Sequence, residues 1–191
     1  MKRTANVSRK TKETDITLFL CLDGGEAVVD TGIGFFDHML TALAFHAGWG
    51  LVLTVRGDLQ VDGHHTAEDT GLALGQALRE AMSDRIGIAR FGQALLPMDE
   101  ALAQVALDVS GRPYLIFDAP MPQDRIGVYD ACLTQEFWRA FTQTAGVTLH
   151  IHATGANAHH VTEALFKGCA RALGQALAVV STTLPSTKGV L

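Results

Sequence analysis

Polar and apolar residues alternate along the chain in two registers. From Ile16 to Leu22 and from Ala27 to Asp30 the pattern is strand-like, and Leu51–Val55 repeats it. Between the second and third of these runs, residues from His38 to Ala47 carry apolar positions at helical spacing, and Gly48 stands where a helix would end. After the third run a longer helical stripe begins, with Leu74, Leu78, Ala81 and Met82 on one face. The second half repeats the scheme. Leu102–Val109, Tyr114–Asp118 and Val147–Ile151 predict strands, a helix precedes Gly146, and Val161, Leu165, Cys169, Ala172, Leu173, Ala176, Leu177 and Val180 form the last stripe. A run near Phe91–Leu95 predicts a further strand. The tail from Thr183 to Leu191 is polar and turn-rich, without periodicity.

The two halves are therefore copies of one unit, each reading strand, strand, helix, strand, helix. Shifted by 98 residues, His38 falls on Glu136, and Ala47-Gly48 on Ala145-Gly146. The loop before the last helix is three residues shorter in the second copy, and Asp62 and Asn157 are its expected helix caps. Because helices follow strands without strict alternation, the expected fold class is α+β, with two sheets and helices packed between or against them. The repeats divide at about residues 1–86 and 87–182, leaving 183–191 as a tail.

The chain has 191 residues, 48% of them hydrophobic, and a net charge of −5 with His neutral. That is enough apolar material for one substantial core, and the acidic balance argues against nucleic acid as the main partner. No apolar run has the length of a membrane span, and the first residues lack an apolar signal core, so a cytoplasmic protein without a membrane partner is expected. Cys21, Cys132 and Cys169 are far apart and show no paired spacing, and Cys169 lies on an apolar stripe, as a buried thiol would.

The chemistry concentrates in a motif that occurs twice, His64-His65-Thr66-Ala67-Glu68 and His159-His160-Val161-Thr162-Glu163. On a helix the first His and the Glu share a face, while the second His is rotated about 100° away. One motif cannot close all its ligands on one ion, but two facing motifs can hold two. Helix geometry and the repeat predict one ion on His38, His64, Glu68 and His160 and another on Glu136, His65, His159 and Glu163, from one chain or from two. Imidazole and carboxylate without sulfur suit Mn, Fe, Co, Ni or Zn. The positive end of the helix dipole is expected to keep the His pairs neutral. His150 and His152 alternate on a strand with no counterpart in the first half and read as surface or packing residues. His46 sits near a helix end, where its cation is favoured. Arg90, Arg112, Lys167 and Lys188 are cations in suggestive contexts. Arg112 lies in a Gly-Arg-Pro turn, Lys167 four residues after Glu163, and Lys188 beside Ser186 and Thr187. Taken singly, each reads equally as a solvated charge, and Lys167 as an ordinary ion pair. On residues alone a two-metal phosphatase and a metal-stapled assembly protein stand beside any other two-metal enzyme.

Longer stretches narrow the choice. Arg9-Lys10-Thr11-Lys12-Glu13-Thr14, Gly34-Phe35-Phe36-Asp37-His38-Met39-Leu40, Asp62-Gly63-His64-His65-Thr66-Ala67-Glu68-Asp69, Arg90-Phe91-Gly92, Ser110-Gly111-Arg112-Pro113-Tyr114, the segment from Gly155 through Lys167, and Pro185-Ser186-Thr187-Lys188-Gly189 run in one order over nearly the whole chain. In these the chain resembles imidazoleglycerol-phosphate dehydratase, a hydro-lyase of histidine biosynthesis. The resemblance implies a duplicated unit of the ribosomal protein S5 domain 2-like kind. It implies two Mn²⁺ per active site, and a homo-oligomer of 24 subunits with sites at subunit contacts. The implied metal ligands are His38, His64, His65, Glu68, His159, His160 and Glu163, with Glu136 at an eighth position where His is common in the family. Glu13 is implied as the acid–base residue. Arg90, Arg112, Lys167, Ser186, Thr187 and Lys188 are implied to bind the substrate phosphate. The reaction implied is dehydration of imidazole glycerol phosphate to imidazole acetol phosphate, the metals stabilising an imidazolate.

Overall fold

A computed structural model describes residues 2–191. The first half runs β1 (Thr4–Lys10), β2 (Thr14–Cys21), β3 (Ala27–Asp30), α1 (Gly34–Ala47), β4 (Gly50–Gly57), α2 (His64–Met82). The second runs β5 (Phe91–Met98), β6 (Ala101–Asp108), β7 (Tyr114–Asp118), the two-residue strands β8 (Arg125–Ile126) and β9 (Tyr129–Asp130), α3 (Leu133–Ala145), β10 (Thr148–Thr154), α4 (Ala158–Leu177). The sheets have matching orders, β1-β2-β4-β3 and β5-β6-β10-β7. In each, the third strand reaches the fourth through a helix and pairs with it in parallel, Val28 opposite Val52 and Leu115 opposite Leu149, while every other pairing is antiparallel.

Alternation places Ile16, Leu18 and Leu20 of β2 and Leu51, Leu53 and Val55 of β4 inward, as it does Leu149, Ile151 and Ala153 of β10. α2 covers the inner face of the first sheet and α4 that of the second. The helices also pack across the repeat, α1 against α4 and α2 against α3, so the two halves share one core. The architecture is α+β, with helices between two sheets. Gly48 and Gly146 close α1 and α3 in the left-handed conformation, at φ of 74° and 69°.

β1, β8 and β9 are strands that apolar patterning does not reveal. In β1 only Ala5 and Val7 face inward, among Arg, Asn, Ser and Lys. The β8–β9 hairpin is held by Tyr129, which is fully buried against Phe35 and Phe36. The Phe91 strand continues to Met98 as the edge of the second sheet.

Candidate metal centre

α1 and α4 bring His38 and His159 to either side of Glu163. The three ligand atoms lie within 4.8 Å of one another. His159 Nε2 is 3.1 Å and His38 Nε2 3.6 Å from Glu163 Oε2. Donors held about 2.0–2.2 Å from one ion stand roughly 3–3.6 Å apart, so this set fits a divalent ion. Glu163 is buried, whereas His38 and His159 open to the surface. Phe35 packs edge-on to the His159 ring and also contacts the Tyr129 ring. Glu163 Oε1 accepts from Lys167 Nζ at 2.7 Å. Burial pushes the Glu163 carboxyl pKa up. The Lys167 hydrogen bond and charge, with His38 and His159, outweigh it and hold the pKa below the ordinary range.

This grouping corrects the predicted one. His38 joins His159 and Glu163 of the second motif, not His64, Glu68 and His160. The reason is helix packing: α1 lies on α4, and α2 on α3. The repeat then groups Glu136 of α3 with His64 and Glu68 of α2. His64 Nε2 is 3.9 Å from Glu68 Oε2. Glu136 is turned to Arg139, whose Nη1 lies 2.9 and 3.2 Å from the two carboxylate oxygens. Among the described residues only the His38 set forms a three-ligand group.

His65 and His160 take other partners. His65 Nδ1 is 3.0 Å from Asp58 Oδ2, and its Nε2 is 3.8 Å from Glu13 Oε1. His160 Nδ1 is 2.7 Å from Glu100 Oε2, and its Nε2 is 3.7 Å from Asp99 Oδ2. The Asp58 and Glu100 hydrogen bonds raise the pKa values of both imidazoles. At these two rings the carboxylate in contact acts against the helix-end partial charge that was expected to favour the neutral form. Glu100, in turn, is held down at about 2, chiefly by its His160 bond. Asn157 caps α4 as predicted, its Oδ1 accepting from the His159 N–H, whereas Gly63 holds the cap position of α2 and Asp62, one residue earlier, accepts from the His64 N–H.

Glu13 projects from the β1–β2 turn, half-exposed. That turn is pinned to α2: Arg9 Nη2 donates to Asp69 Oδ1 at 2.8 Å, and the Thr14 hydroxyl donates to the other Asp69 oxygen. The predicted anion residues fall into two groups. Arg90 and Arg112 converge on Asp108, at 2.8 and 3.8 Å, and Arg90 Nη1 also reaches Pro185 O at 2.9 Å, drawing in the tail with Ser186, Thr187 and Lys188. Lys167 sits instead at the His38 set. His150 and His152 lie exposed on the outer face of the second sheet, His152 bonded to Asp118. His46 departs from expectation. Burial first, then Lys167 and Arg171, lower its pKa despite the helix end. Asp58, Asp69, Glu100 and Asp108 escaped the sequence reading. Scattered acidic residues carry no spacing signal, although Asp69 directly follows the first motif.

The sequence model of the imidazoleglycerol-phosphate dehydratase family matches residues 31–173. The imidazoleglycerol-phosphate dehydratase of Gluconobacter oxydans is 53% identical, over 99% of this chain and 98% of its own. That of Acidiphilium cryptum is also 53% identical, over the whole of both chains. The crystal structure of the Staphylococcus aureus imidazoleglycerol-phosphate dehydratase superposes with a TM-score of 0.86 at 39% identity, covering 93% of this chain and 99% of that one. The Pyrococcus furiosus structure gives 0.85 at 40% identity, over 97% and 100%.

Proposed function

The chain belongs to the imidazoleglycerol-phosphate dehydratase family, enzymes of histidine biosynthesis, and we propose that it converts imidazole glycerol phosphate to imidazole acetol phosphate with two divalent metal ions, Mn²⁺ first among them, at each active site. The observation that carries the metal reading is the convergence of His38, His159 and Glu163 at ligand spacing. His38, His159 and Glu163 would hold one divalent ion and His64, Glu68 and Glu136 the other, and such ions would supply Lewis acidity toward a substrate imidazole.

The chain's own groups do the rest. Lys167 keeps Glu163 ionised, and so able to bind a cation, and places a positive charge at the site. Glu13 is free to take and return the proton of the glycerol carbon, because its carboxylate projects from a turn anchored by Arg9, Thr14 and Asp69. Asp108 aims Arg90 and Arg112 together, and with Ser186, Thr187 and Lys188 they bind the phosphate. A phosphate fixed at one end fixes the reacting carbons at the other, which lowers the entropic part of the barrier. Within one chain His65 and His160 stand apart from the His38 set. We place them as donors to the sites of neighbouring copies, in a homo-oligomer of 24 subunits. Three free thiols suit the reducing cytoplasm.

The test is turnover of imidazole glycerol phosphate by metal-stripped protein, with and without Mn²⁺. Ketone formation only with metal is expected. Glu13→Gln should lower kcat by about 10²–10⁴-fold while leaving metal content unchanged. Phosphate release from simple esters without ketone formation would favour a two-metal hydrolase instead.

A further inference from the structure

The second histidines of the two motifs, His65 and His160, share one feature. Each has its Nδ1 against a carboxylate, His65 on Asp58 at 3.0 Å and His160 on Glu100 at 2.7 Å. A carboxylate accepts and does not donate, so Nδ1 carries the proton, and in the neutral ring that binds a cation the lone pair is on Nε2. Neither Nε2 is within hydrogen-bond distance of the carboxylate it faces, Glu13 at 3.8 Å and Asp99 at 3.7 Å. The lone pairs are uncommitted and open toward negative charge, as a cation ligand requires.

The duplication did not supply this arrangement. Asp58 follows β4, and the residue 98 positions later, in the loop after β10, is Ala156. Glu100 comes from the β5–β6 turn, immediately before β6. Its counterpart immediately before β2 is Glu13, which faces His65 Nε2 and not Nδ1. Two unrelated positions therefore deliver the same contact to equivalent imidazoles. Local backbone geometry serves it as well. A Cβ on Gly57 would lie 2.1 Å from Thr66 Oγ1, so a side chain there would force Thr66 or the end of β4 to shift beside the Asp58–His65 contact.

We propose that Asp58 and Glu100 are positioning residues that fix His65 and His160 as Nε2 donors to the two metal ions. This rests on the metal reading above. An outer carboxylate orients the ring, selects the tautomer and makes the imidazole a stronger donor, and removing such partners costs about 10–100-fold in metal affinity. Glu100 divides its oxygens between two tasks. Oε2 takes His160, while Oε1 accepts from the N–H groups of Ala156 and Asn157 and so anchors the loop before α4. The Asp58 carboxylate takes His65 alone, which makes it the cleaner probe.

The experiment is Mn²⁺ titration of the metal-stripped full chain, reading free Mn²⁺ by electron paramagnetic resonance, with circular dichroism melts on the same samples. Asp58→Ala is expected to melt like the parent and to weaken Mn²⁺ binding by about 10–100-fold at one class of site. Glu100→Gln, which keeps an oxygen for the loop amides, should weaken the other class. In a His65→Ala background, Asp58→Ala should add nothing, because the carboxylate acts only through that ring. Parent-like Mn²⁺ affinity in folded Asp58→Ala, or a loss that adds fully to that of His65→Ala, would overturn the proposal while leaving the metal reading intact. A parent chain that takes up no Mn²⁺ would overturn both.

Discussion

Asp69 ranks among the most consequential single residues because it is buried and doubly used. It accepts from Arg9 and Thr14 and thereby holds the turn that carries Glu13 against the helix that carries His65. Asp69→Ala leaves Arg9 without its partner and is expected to destabilise the chain by about 2–3 kcal/mol, read by urea unfolding. Turnover per folded molecule should fall as well, since Glu13 loses its anchor. A variant as stable and as active as the parent would refute that role. His46 offers a pH test. Its folded pKa lies below the ordinary 6.5, through burial and then Lys167 and Arg171, with Glu163 opposing. The unfolded chain therefore takes up the proton first, and stability is lost as pH falls through 6.5 and below. His46→Gln should flatten the decline of Tm between about pH 7 and 5.5, and an unchanged slope would show that other groups govern it. At this scale the sequence was explicit about candidate ligands and silent about the carboxylates that contact them. His pairs four residues from Glu announce themselves by spacing, whereas Asp58 and Glu100 acquire meaning only when a strand end or a turn folds onto the helix.

Between elements, contact distance is set by small residues. Gly71 and Gly75 of α2, one turn apart, lie under α3. A Cβ at Gly71 would stand 2.5 Å from Phe137 O, and one at Gly75 2.4 Å from Phe141 O. In an exposed helix Gly→Ala gains about 1 kcal/mol, but here it must push two helices apart, which costs about 1–3 kcal/mol or more. Gly75→Ala is thus expected to lower stability and also to disturb Glu136, which α3 carries beside α2. A stabilised variant would mean that the helices can separate freely. The periodic stripes foretold each helix and its buried face but not its partner. An apolar stripe states that a face will be covered and nothing about which helix covers it. For that reason His38 was expected beside His64 and Glu68, whereas packing sets it beside His159 and Glu163.

For the whole molecule, the proposed sites join groups from different copies, so divalent ions would bridge chains. Exhaustive chelation is expected to lower the sedimentation coefficient, and Mn²⁺ to restore it; an assembly of unchanged size after metal removal would confine the ions to single chains. The duplication, the α+β class, most strands and the paired motifs followed from the sequence by itself, because period, capping and repeat are properties of neighbours along the chain. β1 was hidden because its inward face holds only two small apolar residues, and β9 because it is anchored by one buried tyrosine. Only the tertiary structure decided that α1 meets α4, that Arg90 and Arg112 share Asp108, and that Glu136 turns to Arg139. These are matters of distance between residues remote in sequence or free to choose among neighbours, and packing of a shared core, not local pattern, sets such distances.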